Sequence, residues 1–182
     1  MKHLVFLSLL LALVLSSVAA QQATAPAAEV SLTFTRQSGS ASNQFAIWVE
    51  DAQGRYIRTL YATRWTANGG WSRRPTSIPV WVSRSGLSEK TRAQIDAASG
   101  ATPRTGTITH SWDGRDNSGN LVPPGNYVIY VEGTLRWENQ VLYRAPLTIG
   151  QGSAFAEVSV EFSGPSTAER GMISSVSVRA LR

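Results

Sequence analysis

Residues 29–36, EVSLTFTR, alternate apolar and polar, with Val30, Leu32 and Phe34 on one face. That two-residue period returns in QFAIWVED (44–51) through Phe45, Ile47 and Val49. It returns again in RYIRTLYATRW (55–65), with Tyr56, Arg58 and Leu60 set against Ile57, Thr59 and Tyr61. Successive side chains of a strand point to opposite faces, so each such segment offers one face to a core. Strand-like stretches follow at 104–114, 127–137, 141–150, 154–164 and 172–182. Short strands at regular spacing, separated by Gly, Pro, Asn and Asp, predict an all-β sandwich of eight or nine strands. The turn AQGR with Gly54 predicts a hairpin between the second and third of them.

Two stretches break the pattern. Residues 66–86 carry a Gly pair, two prolines, Trp71 and Trp81, and are expected to form a long loop or irregular crossover. Loops of that length are usually functional or disordered, and the two tryptophans speak against disorder. LSEKTRAQIDAAS (87–99) predicts one short peripheral helix, capped by Ser88 and ended by Gly100. At the N-terminus, Lys2 precedes an apolar run from Leu4 to Leu15, and Val18-Ala19-Ala20 suits signal-peptidase cleavage before Gln21. Residues 1–20 are therefore expected to be a secretory signal peptide rather than a retained anchor, the run being short for a membrane span. Residues 21–28, QQATAPAA, are expected to be a flexible lead-in, and 29–182 a single β-sandwich domain without direct membrane insertion once the signal is removed.

Composition narrows the chemistry. There is no cysteine, and His110 is the single histidine after the expected signal. Zinc, iron–sulfur and haem sites are built largely from those two residue types. A serine triad would have to use His110, which sits in a strand entering a turn. The formal charge is +5, but the cations are scattered apart from Arg73-Arg74. Nucleic-acid binders cluster theirs on one face, so no nucleic-acid partner is expected.

The longest specific string is WDGRDNSGNLVPPGNYVIYVEG (112–133). Asp113 and Asp116 suit Asx turns, Gly114, Gly119 and Gly125 suit chain reversal, and Trp112 and Tyr127 suit core anchors at the two ends of a hairpin. A calcium loop is the rival reading, but Arg115 stands at the third position, where an EF-hand has a ligand. The string resembles the immunoglobulin-like domain of flagellar hook-capping proteins, which implies an immunoglobulin-like β-sandwich. Over roughly residues 29–150 the chain resembles the predicted periplasmic proteins of domain of unknown function 2271. The resemblance is carried by IWVEDAQGRYIRTLYATRW, DAASGATPRTG, WDGRDNSGN and NYVIYVEG. It implies an exported periplasmic β-sandwich associated with flavin-transfer and electron-transfer systems.

Asp96-Ala97-Ala98-Ser99-Gly100-Ala101-Thr102 matches D-x-x-[ST]-G-A-[ST]. This resembles the acceptor motif of exported flavoproteins modified by an ApbE-type FAD:protein FMN transferase. The resemblance implies covalent FMN on Thr102, with Asp96, Ser99, Gly100 and Ala101 as the recognition sequence. Small residues would let an acceptor backbone approach a bound nucleotide, and Pro103 disfavours helical backbone at Thr102. A helix C-cap at Gly100 followed by a loop explains the same Gly and Pro. The pump-type FMN domains carry a second hydroxyl two places on, where this chain has Arg104. Trp71 and Trp81 are candidates for stacking on the flavin ring, and Arg92 or Arg104 for pairing with its phosphate.

Three functions compete. The first is a flavin-carrying redox component, with a membrane redox protein as partner and no independent catalysis. The second is a non-enzymatic binding or scaffolding domain serving a membrane protein. The third is a hydrolase using the Asp113/Asp116 pair, whose carboxylates already have turn duties.

Overall fold

The computed structural model describes residues 25–38, 43–136, 138–165 and 171–182. The expected signal peptide and the first half of the lead-in, residues 21–24, lie outside the described residues. Two sheets face each other. The first has four strands in the order β5 (Gly106–Trp112), β1 (Ala28–Phe34), β10 (Ile173–Ala180), β8 (Ala154–Phe155), all antiparallel. The second has six, in the order β4 (Ser99–Gly100), β3 (Tyr56–Thr63), β2 (Gln44–Asp51), β6 (Gly125–Arg136), β7 (Asn139–Ile149), β9 (Ser159–Ser163). Only β4 runs parallel to its neighbour.

The alternation in β1 is realised as read: Val30, Leu32 and Phe34 are buried between the sheets. They meet Phe45, Ile47 and Val49 of β2, with Phe34 and Phe45 rings 5.3 Å apart. Burying each such side chain stabilises the fold by about 1.5–3 kcal/mol. The core also takes in the end of the lead-in. Ala27 and Ala28 are fully buried, Ala27 N donates to Trp112 O, and Leu181 N donates to Ala27 O. The folded unit thus starts before residue 29, because these two small side chains fit under the Trp112 end of the sheet.

β2 departs from simple alternation: all eight of its residues are buried. A strand is wet on one face only if nothing covers that face. Here residues 66–89 fold back over it. Ala67, Ile78, Trp81 and Leu87 form a second core with Ala46, Trp48 and Ala62. The crossover is largely helical, with α1 (Trp71–Arg73) and α2 (Pro79–Ser85) preceding α3 (Arg92–Ala98). The single expected helix is therefore three. Helices of three and seven residues are too short to display a 3.6-residue period, and Pro79, one of the two prolines that suggested a loop, occupies the first turn, where proline is tolerated.

The third strand is bulged. Ile47 pairs with Tyr61 but Trp48 with Thr59, and Val49 pairs with Arg58 but Glu50 with Tyr56. Each skipped residue inverts the alternation, so Ile57, Leu60 and Tyr61 all pack on the inner core. The Asp51–Arg55 turn closes the hairpin as expected, with Asp51 Oδ1 accepting from Gln53 N and Arg55 N, each at 2.9 Å.

Two other expectations change. The WDGRDNSGN string does not join hairpin partners, because β5 and β6 lie in different sheets. It is a small hairpin of its own, bridged at Arg115 and Leu121 and tied by Val122 N to Gly114 O. Its Asx turns form as read: Asp113 Oδ1 accepts from Arg115 N, and Asp116 Oδ1 accepts from Ser118 N and Asn120 N. Trp112 and Tyr127 meet edge to face at 5.3 Å across the core. The stretch 154–164 is two strands, β8 and β9, which join the outer edges of opposite sheets.

Candidate functional site

α3 is positioned by its cap. Gln94 N donates to Thr91 Oγ1 and Thr91 N donates to Gln94 Oε1, a reciprocal capping box. Thr91, and not Ser88, therefore starts the helix; Ser88 lies in a separate 3₁₀ turn, Leu87–Glu89. The helix buries no residue completely. Nor does it end on a left-handed glycine. Ser99 is extended, and Ser99 and Gly100 pair with Ala62 and Thr63 at the edge of β3. Gly100 is absent from the glycines with positive φ. Its lack of a side chain has another cause: a Cβ there would stand 2.7 Å from Tyr61 Cε2.

Tyr61 organises the segment. Its ring stacks on Phe45 at 4.9 Å and packs against His110 at 4.6 Å, spanning the gap between β3 and β5. Its hydroxyl donates to Ala101 O at 2.7 Å. Burial pushes the Tyr61 hydroxyl up to about 12, so it keeps its proton and stays a donor. Burial pushes the His110 imidazole down, which favours the neutral ring. On the far side of the loop, Arg36 N donates to Thr105 Oγ1 at 3.0 Å. Residues 101–104 between these anchors have no regular structure; Thr102 and Pro103 are half-buried, and Arg104 is exposed.

The motif residues thus differ in access. Asp96 is exposed and faces Arg92, with 3.8 Å between Arg92 Nε and Asp96 Oδ2. Ser99 Oγ is buried and has no hydrogen-bond partner. Behind α3 lies a cavity of about 20 Å³, lined by Tyr56, Thr59, Trp81, Lys90, Ile95 and Ser99. Its walls are mostly apolar, with Ala62, Ala67, Leu87 and Ala98 also facing it, and its volume is no more than one water molecule needs. Lys90 Nζ lies 4.9 Å from the Tyr56 ring centroid, and burial lowers its pKa.

The two tryptophans named as ring partners differ as well. Trp81 is 2% exposed, and its indole donates to Thr59 Oγ1 at 2.8 Å. Trp71 is half-buried against the second core. Asp113 faces Arg58 at 3.2 Å in addition to its turn bond. Among the described residues, no three His, Asp or Glu side chains converge in a way that could hold a metal ion.

One polar centre was not visible in the sequence. Glu132, 1% exposed, accepts from Val80 N at 3.0 Å and Trp81 N at 2.7 Å, so it holds the start of α2. Thr134 Oγ1 accepts from Ile78 N beside it. Burial pushes Glu132 up to about 7 against the pull of those two donors. Nothing local marks Glu132, because its partners lie some fifty residues away.

The class of protein is a two-sheet β-sandwich with a helical crossover packed on the outer face of the larger sheet. The chain belongs to the family described as predicted periplasmic protein DUF2271, whose model matches residues 27–164. The match begins at Ala27, where burial begins, and includes the whole 96–105 segment. No curated protein and no solved structure matches the chain.

Proposed function

We propose that this chain is an exported carrier of covalent FMN, attached at Thr102, in a periplasmic electron-transfer system. The observation that carries the reading is the setting of Thr102. It lies in an irregular loop anchored three residues upstream by β4, one residue upstream by Tyr61, and three residues downstream by Thr105. Thr102, itself half-buried, is thus held between fixed points on both sides of the loop. In the transfer, Thr102 Oγ1 bonds to the flavin-side phosphorus of FAD within an ApbE-type transferase. The phosphoanhydride bond to AMP breaks, AMP leaves, and the hydroxyl proton is lost to a base of the transferase. The attached flavin supplies one- or two-electron redox chemistry; this chain binds and orients it. Arg104, exposed two residues on, supplies positive charge for the phosphodiester. The immunoglobulin-like relation of the sandwich belongs to the same proposal and rests on the W-D-G-x-D turn string. The test is peptide mapping after co-expression with the transferase. FMN on the peptide containing Thr102, lost in Thr102→Ala, supports the reading; flavin retained covalently in Thr102→Ala sinks it.

A second reading is a non-enzymatic binding or scaffolding domain for a membrane protein. It is favoured by Phe155, 71% exposed, and Val160, 48% exposed, on the outer edge strands β8 and β9. Phe155→Asp and Val160→Asp substitutions that abolish partner capture, with no flavin on the chain, would favour this reading over the first.

A further inference from the structure

Resting on the FMN reading, we propose that Tyr61 is a positioning residue that latches the acceptor segment shut. FMN transfer then proceeds from the form in which residues 98–101 have left β3. Three features of the folded segment restrict a transferase reading the motif from outside, with Ser99 and Gly100 half-buried and Ala101 exposed. Ser99 Oγ is buried against the cavity wall. Gly100 lies directly against the Tyr61 ring. The Ala101 carbonyl already accepts from the Tyr61 hydroxyl. Ser99 Oγ, which has no exposed surface, contributes nothing to recognition until the segment opens, and the Ala101 carbonyl is free to accept from another donor only once the Tyr61 bond is broken.

The same segment is weakly held everywhere else. β4 pairs through two residues only, Ser99 with Ala62 and Gly100 with Thr63. α3 buries no side chain completely, and the space behind it is not filled by protein. Segments with few buried contacts open locally at a fraction of the global unfolding cost. Tyr61, by contrast, is fixed on two rings, Phe45 and His110. Its hydroxyl is therefore the firm end of a bond whose other end is the loose strand. The open fraction sets the apparent rate of modification, since only the competent form is a substrate.

The experiment compares wild type with Tyr61→Phe, which keeps the ring packing and removes the bond. Two quantities are read: amide hydrogen exchange over residues 98–101, and the initial rate of FMN transfer by a purified transferase with FAD and Mg²⁺. Loss of one hydrogen bond is expected to raise both by a common factor of about two to ten. Tyr61→Leu, which also gives up ring contacts, should move both further in the same direction. A merely structural role for Tyr61 predicts less folded protein and no faster modification. Faster exchange with an unchanged or slower transfer would overturn the latch, and so would unchanged exchange. If no variant takes up FMN while a control acceptor does, the carrier reading itself has failed. The exchange data then report separately whether the hydroxyl held the strand.

Discussion

Gly100 and Thr102 stand two residues apart and answer to different constraints. Gly100 is fixed by packing: a methyl group there meets the Tyr61 ring, which is itself held by Phe45 and His110. Gly100→Ala should lower stability by about 1–3 kcal/mol, the usual cost of overpacking a site that cannot yield. Urea unfolding checks this; a midpoint equal to wild type would show that the ring moves aside freely. Thr102 lies half-buried in the irregular stretch between the Ala101 and Thr105 anchors, and Thr102→Ala should leave stability within about 0.5 kcal/mol of wild type, as for substitutions away from packed cores and caps. A larger loss would mean the side chain has a structural duty. The D-x-x-S-G-A-T string was readable as a motif, but the reason for its glycine was not. A C-cap and an aromatic contact both call for a missing Cβ, and Tyr61 is 39 positions earlier in the chain.

Elements show the same division. β1 was legible because Val30, Leu32 and Phe34 alternate without interruption on an inward face. β3 was legible as a strand and as the hairpin partner of β2, but its inward face was not, because bulges opposite the Ile47–Trp48 and Val49–Glu50 steps put Leu60 and Tyr61 on the same side. α2 escaped notice because its first turn is fixed from outside, by the Glu132 carboxylate and the Thr134 hydroxyl. Two predictions belong here. Thr91→Ala removes the capping box of α3 and should cost that helix about 0.5–2 kcal/mol. The readout is faster amide exchange at Ile95, whose N–H closes the first turn on Thr91 O; unchanged exchange would mean the helix is held by its contacts instead. Glu132→Ala leaves the Val80 and Trp81 amides buried without their acceptor and should destabilise the fold by on the order of 3 kcal/mol. Tryptophan fluorescence during unfolding reports it through Trp81, and a change under 1 kcal/mol would show that water replaces the carboxylate.

At the scale of the whole molecule, two sheets and a helical crossover put the 101–105 loop on one open side and the exposed Phe155 and Val160 edge on the other. Glu132 ties the crossover to the sheet and makes stability depend on pH. Its folded pKa, about 7, lies above the ordinary 4.5, so the native state keeps a proton that the unfolded chain releases between those values. Stability on this account falls as pH rises from 4.5 to 7 and is flat beyond. His110, pushed down by burial, works in the opposite direction at and below its ordinary 6.5. The difference between wild type and Glu132→Gln isolates the carboxylate: the wild-type melting temperature should drop relative to the variant across that window. Parallel curves would contradict the assignment. Fold class was legible at this scale, since the strand spacing alone points to stacked sheets. The second core was not, because Trp48, Ile78 and Trp81 meet only after the crossover has folded back.

The most direct test is the intact mass of the protein purified after export from cells that also make an ApbE-type transferase. The account predicts a gain of one FMN unit, carried by the peptide containing Thr102. An unmodified mass, with a known acceptor labelled in the same cells, would contradict it.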